Sequence, residues 1–179
     1  MATEPVLATL AGGCFWCLEA AFEEVPGVLS ATSGYAGGDV SDPSYEAVST
    51  GETGHAECVQ LEYDPEEITY VDLLGVFFRV HDPTQLNRQG PDVGTQYRSA
   101  IFAHDDEQLE TAQAFLAALE DEEAFEGGIV TEVEPLETFW EAEEAHQDYY
   151  ANNPDDRYCT LYVEPKVKKI QAAFADETE

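Results

Sequence analysis

Strand-like and helix-like segments alternate along this chain without the regular spacing of repeated strand–helix–strand units. Alternating or continuously apolar runs predict strands at residues 6–10, 28–35, 56–63, 98–103 and 129–133. Apolar residues at three- and four-residue spacing predict helices at residues 14–24, 69–80, 105–122 and 141–150. A doubly wound parallel sheet would need a helix after each strand at similar spacing. The irregular order instead favours a two-layer α+β domain.

The charge balance restricts the partners that such a domain can have. The sequence has 7 Lys and Arg against 38 Asp and Glu, a formal net charge of −31. This charge repels nucleic acid and anionic membranes, and in dilute buffer it destabilises the compact state. In 1 M salt the Debye length falls to about 3 Å, which screens most of the repulsion. Because the acids are spread along the whole chain and 44% of the residues are apolar, we interpret residues 1–179 as a single domain with a halophilic surface. A docking surface for a basic partner is the alternative.

The sequence shows no targeting or membrane segment. Residues 1–13 lack a basic flank and a long apolar stretch, so we expect no secretory signal. No run approaches the ~18 apolar residues of a membrane span. In the cytoplasmic protein that we therefore expect, four cysteines indicate redox or metal chemistry before structural disulfides. A zinc site is disfavoured, because the cysteines and the four histidines complete no standard ligand pattern.

The strongest local motif lies where the first strand meets the first helix, at Gly12-Gly13-Cys14-Phe15-Trp16-Cys17. At a helix start, free amide N–H groups and the helix dipole favour the thiolate of Cys14, and glycines let a substrate approach the backbone. A buried, unreactive cysteine is one alternative. A thioredoxin-like pair is another, since Cys14 and Cys17 have Cys-x-x-Cys spacing, although the bulky Phe15 and Trp16 between them suit an apolar ligand.

Glu57 is unusual because it enters a strand that is otherwise apolar. It ends the sequence Gly54-His55-Ala56-Glu57, directly before Cys58. If its side chain is buried, its pKa should rise, so that it could donate a proton near neutral pH. An exposed turn carboxylate is the alternative, and His55 is expected to be structural. Cys58 should face the opposite side of the sheet.

A long loop that contains Pro and Gly spans residues 81–94, before the strand at residues 98–103. Two of the seven cations, Arg88 and Arg98, occur in this region together with Asp92 and Tyr97. Loops of this length inside compact domains are often functional. We expect the region to form a polar rim of a binding site, with Tyr45 offering another phenol from a separate loop.

Taken together, these segments resemble the class A peptide methionine sulfoxide reductases. The matching motifs follow one another in order over nearly the whole chain, at residues 13–16, 34–38, 43–45, 54–57, the loop through residue 98, 139–143, 146–147 and 158–159. Several motifs in order are more specific than any one of them. The resemblance implies a ferredoxin-like two-layer α/β sandwich with a mixed sheet. An irregular C-terminal tail, residues 152–179, would carry Cys159.

The resemblance also implies an activity, the reduction of methionine S-sulfoxide, free or in proteins, with a separate enzyme for each sulfoxide epimer. The roles that it implies are these: Cys14 attacks the sulfoxide sulfur, Phe15 and Trp16 hold the methyl group, Glu57 supplies a proton, Tyr45 and Tyr97 hydrogen-bond the oxygen, and Asp92 positions the site. It implies neither a metal nor a tightly bound cofactor. A thioredoxin-type dithiol is the expected reductant, and we expect a monomer.

The second thiol of the cycle is ambiguous in this sequence. Attack converts Cys14 to a sulfenic acid, which must condense with another thiol to give a disulfide that the partner reduces. Cys159 matches the usual resolving position of the family that the chain resembles, although its tail lacks the glycine-rich stretch of some members. Cys17 is the competitor, and with Cys14 it would also serve the alternative function of a general dithiol–disulfide oxidoreductase. We expect Cys159.

Overall fold

The computed structural model describes residues 5–89, 92–122, 128–153 and 155–175. Its strands are β1 (Val6–Ala11), β2 (Val28–Ala36), β3 (Ala56–Tyr63), β4 (Arg88–Gln89), β5 (Asp92–Val93), β6 (Ala100–Ala103), β7 (Glu132–Pro135) and β8 (Trp140–Glu141). Its helices are α1 (Phe15–Glu23), α2 (Tyr45–Ser49), α3 (Tyr70–Val80), α4 (Asp106–Asp121), α5 (Tyr149–Asn152) and α6 (Glu164–Ala175). Six strands form one sheet in the order β7-β6-β1-β3-β2-β8, and β4 pairs with β5.

Strand β3 lies inside the sheet and carries Glu57. It pairs antiparallel with β1 on one side and with β2 on the other. Because β6 pairs antiparallel with β1 but parallel with β7, the sheet is mixed, as expected. Neighbouring side chains on a strand point to opposite faces. Accordingly, Cys58 packs in a small apolar cluster with Ala36 and Phe102, away from the main core, which confirms its predicted orientation.

The helices and the main apolar core lie on one face of the sheet. Helix α1 packs against β2 and β3, α4 packs against β6 and β7, and α3 and α6 complete the layer. Helix α3 begins with a capping box, in which the Thr69 hydroxyl accepts from the Asp72 N–H and the Asp72 carboxylate accepts from the Thr69 N–H. The two-layer arrangement confirms the predicted fold class. No helix in the described part of the chain combines the length and the apolar character needed to cross a membrane.

Most of the predicted elements lie where local patterns placed them. The strands predicted at residues 6–10, 28–35 and 56–63 correspond to β1, β2 and β3, and the first three predicted helices correspond to α1, α3 and α4. The fourth predicted strand is β6, which begins at Ala100. The fifth lies at Glu132–Pro135 rather than at residues 129–133.

The helix predicted at residues 141–150 is wrong. Trp140–Glu141 extends the sheet, Glu144–His146 form one 3₁₀ turn, and α5 begins only at Tyr149. The cause is tertiary. The Ala142 N–H donates to the Ser33 carbonyl at 2.9 Å, and the Gln147 side chain bonds both backbone groups of Ser33, at 2.9 and 2.8 Å. These bonds hold the segment along β2, next to the short edge strand β8, and local helical spacing does not reveal them.

The C-terminal segment is irregular at its start and helical afterwards. A helical stretch begins at residue 157 and continues through a π-helical turn, Cys159–Val163, into α6. Residues 157–175, which belong to the tail that was expected to be irregular, are therefore helical. Cys159, Val163, Val167 and Ile170 are buried in the main core, so this segment packs on the domain through one apolar face.

Candidate active site

Cys14 lies at the predicted junction, as the N-cap residue of α1, and is 7% exposed. Packing requires the two glycines before it. Gly13 has a φ of +88°, and a Cβ atom at Gly12 would lie 2.8 Å from the ring of buried His81. The Gly13 N–H donates to the Tyr97 carbonyl at 3.2 Å. The long loop is thereby tied to the turn that holds Cys14.

Glu57 is fully buried beneath the start of α1. Its Oε1 accepts a hydrogen bond from the Phe15 N–H at 3.2 Å, and its Oε2 has no partner among the described residues. Burial raises the pKa of Glu57 to about 8, against the Phe15 hydrogen bond and with help from the Asp92 charge. Of the two alternatives that the sequence left open, Glu57 is therefore the buried carboxyl and not the exposed turn carboxylate, and its pKa is raised as burial predicts. The carboxyl is mostly protonated at neutral pH.

The environment of Cys14 favours the thiol over the thiolate. Burial raises the pKa of Cys14 well above its usual range, and the charges of Glu57 and Cys17 raise it further. The hydrogen bond from the backbone N–H of Trp16 lowers the pKa of Cys14, as expected at the start of a helix. Burial outweighs this effect, so the expectation that the helix start would favour a thiolate is wrong for the unliganded site.

Aromatic side chains form a wall beside Cys14. Trp16 stacks on Tyr149 with ring centroids 3.7 Å apart, and its Nε1 donates to His146 Nδ1 at 3.3 Å. Tyr45 stacks on the same histidine at 4.2 Å, and Phe15 packs against Tyr45 at 6.2 Å. Phe15 is fully buried whereas Trp16 is half-buried. Of the two residues predicted to hold an apolar group, Trp16 therefore offers the accessible surface.

Tyr45 and Tyr97 reach the site from separate segments. Tyr45 is the first residue of α2, not part of a loop as expected, and its N–H donates to Glu143 Oε2 at 3.0 Å. Tyr97 ends a 3₁₀ turn, Thr95–Tyr97. Burial raises the pKa of Tyr45 to about 12 and also raises that of Tyr97, and the Glu57 charge adds to both effects. Both phenols therefore keep their protons at physiological pH.

Asp92 connects the long loop to the C-terminal segment. The Tyr158 hydroxyl donates to Asp92 Oδ2 at 2.5 Å and lies 3.8 Å from the Cys17 sulfur. The Tyr158 ring also meets Trp16 edge-on at 5.8 Å. Burial raises the pKa of Asp92, against the Tyr158 hydrogen bond and the Lys166 charge. One tyrosine of the C-terminal segment thus contacts three residues of the candidate site.

All four cysteines are free and buried. Cys17 is 1% exposed, and it lies close enough to Cys14 and to Cys159 to raise the pKa of each. Burial raises the pKa of Cys17, whereas the Lys166 charge and the Tyr158 hydroxyl oppose that rise. The structure therefore brings Cys14, Cys17 and Cys159 into one neighbourhood and leaves Cys58 on the other face of the sheet.

Two other polar residues noted in the sequence have structural roles. His55 is buried, as expected of a structural histidine: its Nδ1 accepts from the Gly38 N–H at 3.0 Å, and its Nε2 bonds the Val40 carbonyl at 2.6 Å. Arg98 forms a salt bridge with Glu132 at 3.0 Å and donates to the Thr95 carbonyl at 3.0 Å. Arg98 therefore anchors the turn of Tyr97 and does not contribute to a polar rim.

Sequence reasoning gave no role in the site to Glu19, Glu143, His146, Tyr149 or Tyr158. Glu143 accepts from the Tyr35 hydroxyl at 3.0 Å as well as from the Tyr45 backbone. His146 and Tyr158 lie in motifs of the family resemblance, but no local pattern indicates that they face Cys14. Glu19 could have been found, because it stands four residues after Phe15 in the apolar stripe of α1.

The described residues offer one group of ligands that a metal ion could use. The carboxylate oxygens of Glu19, Glu23 and Asp148 lie within 4.8 Å of one another. Both oxygens of Glu19 already accept hydrogen bonds, from the Ser33 hydroxyl and the Asp148 N–H. Contacts within the protein therefore account for the buried member of this group.

Comparison with known proteins gives a consistent result. The sequence profile of the family described as peptide methionine sulfoxide reductase matches residues 6–178. Peptide methionine sulfoxide reductase MsrA of Halobacterium salinarum is 60% identical over 172 residues, covering 96% of this chain and 97% of the relative. Reduced Mxr1 of Saccharomyces cerevisiae is similar with a TM-score of 0.82 at 38% identity, over 89% of this chain and 91% of Mxr1. Mxr1 in complex with Trx2 gives a TM-score of 0.58 at 27% identity, over 83% and 88% of the two chains.

Proposed function

The chain belongs to the peptide methionine sulfoxide reductase family, and from that premise we propose how it reduces methionine S-sulfoxide, free or in proteins, at Cys14. The observation that carries the proposal is the state of Glu57. This buried carboxyl is mostly protonated at neutral pH, bonds the N–H of Phe15, and keeps one oxygen unpartnered among the described residues. A sulfoxide oxygen leaves sulfur readily only when it is protonated, and Glu57 can supply that proton at pH 7.

In the proposed complex, the aromatic wall receives the methyl group of the substrate. Trp16 offers accessible apolar surface, and its stacking on Tyr149 supports a fixed orientation of the indole. The sulfoxide oxygen then points towards Glu57 Oε2 and the hydroxyls of Tyr45 and Tyr97. Raised pKa values support the role of these phenols as donors, because they remain protonated. Asp92 positions the site through its hydrogen bond with Tyr158.

The reaction proposed is attack of the Cys14 sulfur on the substrate sulfur as Glu57 protonates the oxygen. Oxygen is transferred to Cys14, which becomes a sulfenic acid, and the substrate sulfur is reduced by two electrons to the thioether of methionine. The thiol proton of Cys14 replaces the one that Glu57 donated. Because Cys14 is a thiol in the unliganded site, its deprotonation belongs to this step and not to the resting enzyme.

For the second half of the cycle we propose Cys159 as the resolving thiol. Its sulfur attacks the Cys14 sulfenic acid, water leaves, and a Cys14–Cys159 disulfide forms. Because Cys159 is buried and Tyr158 is bonded to Asp92, the C-terminal segment must shift before this step. Cys17 is the alternative, since it lies in the first turn of α1, three residues after the N-cap residue Cys14.

A thioredoxin-type dithiol is proposed to reduce the disulfide. The similarity to Mxr1 in its complex with Trx2 supports a partner of this class. We propose a cytoplasmic location, supported by four cysteines that are free in the structure. We also propose a monomer, because one chain supplies every residue used above. Sedimentation equilibrium in molar KCl measures the oligomeric state directly.

NADPH consumption with thioredoxin and thioredoxin reductase tests the function on separated sulfoxide epimers. We expect consumption with the S epimer of a peptide and of free methionine sulfoxide, and none with the R epimer. Reduction of insulin disulfides without any sulfoxide reduction would contradict the proposal. That outcome would support a general dithiol–disulfide oxidoreductase that uses Cys14 and Cys17.

A further inference from the structure

Glu19 lies on α1, and its carboxyl group is buried among apolar residues. It is 2% exposed and has Phe15, Leu18 and Phe22 as fully buried neighbours on the same helix. Its Oε2 accepts from the Ser33 hydroxyl on β2, and its Oε1 accepts from the Asp148 N–H at 2.5 Å. A buried carboxyl with both oxygens used in this way links three separate segments of the chain.

The bond from Asp148 fixes the segment that builds the aromatic wall. Asp148 has a φ of +54°, a left-handed conformation that is uncommon outside glycine, although Asp adopts it more often than most residues. Tyr149, the next residue, stacks on Trp16, and His146, two residues earlier, accepts from the Trp16 indole. The position of Asp148 therefore sets how these two rings meet Trp16.

Ser33 provides the other end of the same connection. Its hydroxyl bonds Glu19, while its N–H and carbonyl bond the side chain of Gln147 at 2.9 and 2.8 Å. Gln147 Nε2 also donates to the Ala142 carbonyl at 3.1 Å. Glu19 and Gln147 thus hold adjacent residues of one segment against one residue of β2, as a two-point clamp.

The pKa of Glu19 reflects both its burial and its hydrogen bonds with Ser33 and Asp148. Burial raises the pKa of Glu19 to about 7, whereas the hydrogen bonds from Ser33 and Asp148 favour the charged form and oppose the rise. The ionised carboxylate can accept at both oxygens at once. A neutral amide oxygen in the same place can also accept from the Asp148 N–H, through a hydrogen bond that is weaker because it is not charge-assisted.

We propose that Glu19 is a positioning residue for the substrate pocket. It holds Asp148 so that Tyr149 and His146 fix the Trp16 indole in the orientation that receives the substrate methyl. This inference rests on the proposed function, in which Trp16 binds that methyl. A purely structural Glu19 would stabilise the fold without affecting Trp16 or substrate binding.

The test uses Glu19→Leu, which keeps an apolar volume but removes both acceptors, and Glu19→Gln, which can accept from Asp148 and donate to Ser33. Glu24→Gln is the matched control, because Glu24 is exposed at the end of the same helix. KM and kcat are measured with an S-sulfoxide peptide and dithiothreitol, which leaves thioredoxin out. Hydrogen exchange at the Asp148 and Tyr149 amides and Trp16 fluorescence in a Trp140→Phe background report the pocket without turnover.

We expect Glu19→Leu to raise KM by about tenfold or more while kcat falls less, since pocket misplacement by about 1 Å can cost on the order of 10²-fold in kcat/KM. Amide protection should fall, and Trp16 fluorescence should shift. Glu19→Gln should restore KM to within about threefold of the wild type, and Glu24→Gln should equal the wild type. A folded Glu19→Leu with wild-type KM and Trp16 fluorescence would overturn the inference.

Two further outcomes are also decisive. If Glu19→Leu does not fold, Ser33→Ala removes one bond of the clamp, and an unchanged KM and unchanged Trp16 fluorescence in that variant would overturn the inference. If the wild type reduces no sulfoxide, the proposed function fails. The clamp is then judged by amide protection and Trp16 fluorescence alone, which separates the two failures.

Discussion

Replacing Glu57 by Gln should lower activity and, at alkaline pH, raise stability. The amide keeps the size of the side chain and can still accept from the Phe15 N–H, which lies 3.2 Å away in the wild type. It cannot donate an acidic proton, and it cannot ionise. This one substitution therefore tests both the proposed role of Glu57 as a proton donor and the loss of stability caused by its ionisation in the folded protein.

The expected loss of activity is on the order of 10²-fold in kcat, the usual scale for a lost general acid. In the wild type, kcat should fall as the pH rises through about 8, because the protonated fraction of Glu57 falls there. In the variant, kcat should not show this fall at alkaline pH. Dithiothreitol serves as reductant in both cases, so that thioredoxin contributes nothing to the pH profile.

The expected gain in stability follows from the same pKa. Burial raises the pKa of Glu57 from an ordinary 4.5 to about 8, so the folded state binds this proton more tightly than the unfolded chain does. The unfolding free energy of the wild type therefore falls as the pH rises from 4.5 to 8, by roughly 5 kcal/mol at most. Glu57→Gln should match the wild type near pH 5 and exceed it by several kcal/mol at pH 9.

Urea unfolding at fixed molar KCl, at pH 5, 7 and 9, measures that difference. A difference that stays constant with pH would refute a buried, protonated Glu57. Wild-type kcat in the variant at pH 7 would move the proton donor elsewhere, with Tyr45 or Tyr97 as the next candidates. Neither result could be attributed to misfolding, because the variant must show the wild-type circular dichroism spectrum before it is compared.

Three further predictions follow from the site and the charge. Cys14→Ser should abolish turnover of the S epimer in the NADPH assay and leave the circular dichroism spectrum unchanged, so substantial residual reduction by the folded variant would remove Cys14 from its proposed role. Raising KCl from millimolar to molar should increase both the unfolding midpoint and the activity, because salt screens the repulsion of a net charge of −31; equal values at both ends would revive the basic-partner interpretation. Cys159→Ser should complete one reduction per enzyme and then stall with thioredoxin, while Cys17→Ser should cycle nearly normally; a dominant Cys14–Cys17 disulfide in peptide maps, with normal cycling of Cys159→Ser, would make Cys17 the resolving thiol.

Local sequence patterns predicted the parts of the site that depend on local structure. The junction at Cys14 follows from an apolar run, two glycines and a helical repeat that lie within about twenty residues. The place of Glu57 in an apolar strand makes its burial one of two alternatives, and the structure shows that it is the correct one. In both cases secondary structure alone fixes the direction of the side chain.

The rest of the site depends on contacts that no local pattern contains. Residues 142–147 follow the edge of the sheet because of Ser33, more than a hundred positions earlier in the chain. Tyr158 reaches Asp92 across 66 positions. The high pKa of Cys14 has the same origin, because the helix start that favours its thiolate is visible in the sequence whereas the burial that opposes it arises only on folding.

Lys166, one of the seven Lys and Arg residues of the chain, affects the ionisation of two residues of the proposed site. It lies on α6, and its charge lowers the pKa of both Cys17 and Asp92. Tyr158, at the start of the same helical stretch, bonds Asp92 and meets the Cys17 sulfur. In the proposed cycle, a shift that carries Cys159 to Cys14 also moves its neighbour Tyr158 away from Asp92 and Cys17. In the observed arrangement, Lys166 and Tyr158 limit the rise that burial causes in the pKa of Cys17, whereas Cys159 is buried. In the proposed cycle, Cys159 can act only after the Tyr158–Asp92 bond breaks, so weakening that bond should favour Cys159 over Cys17 as the resolving thiol.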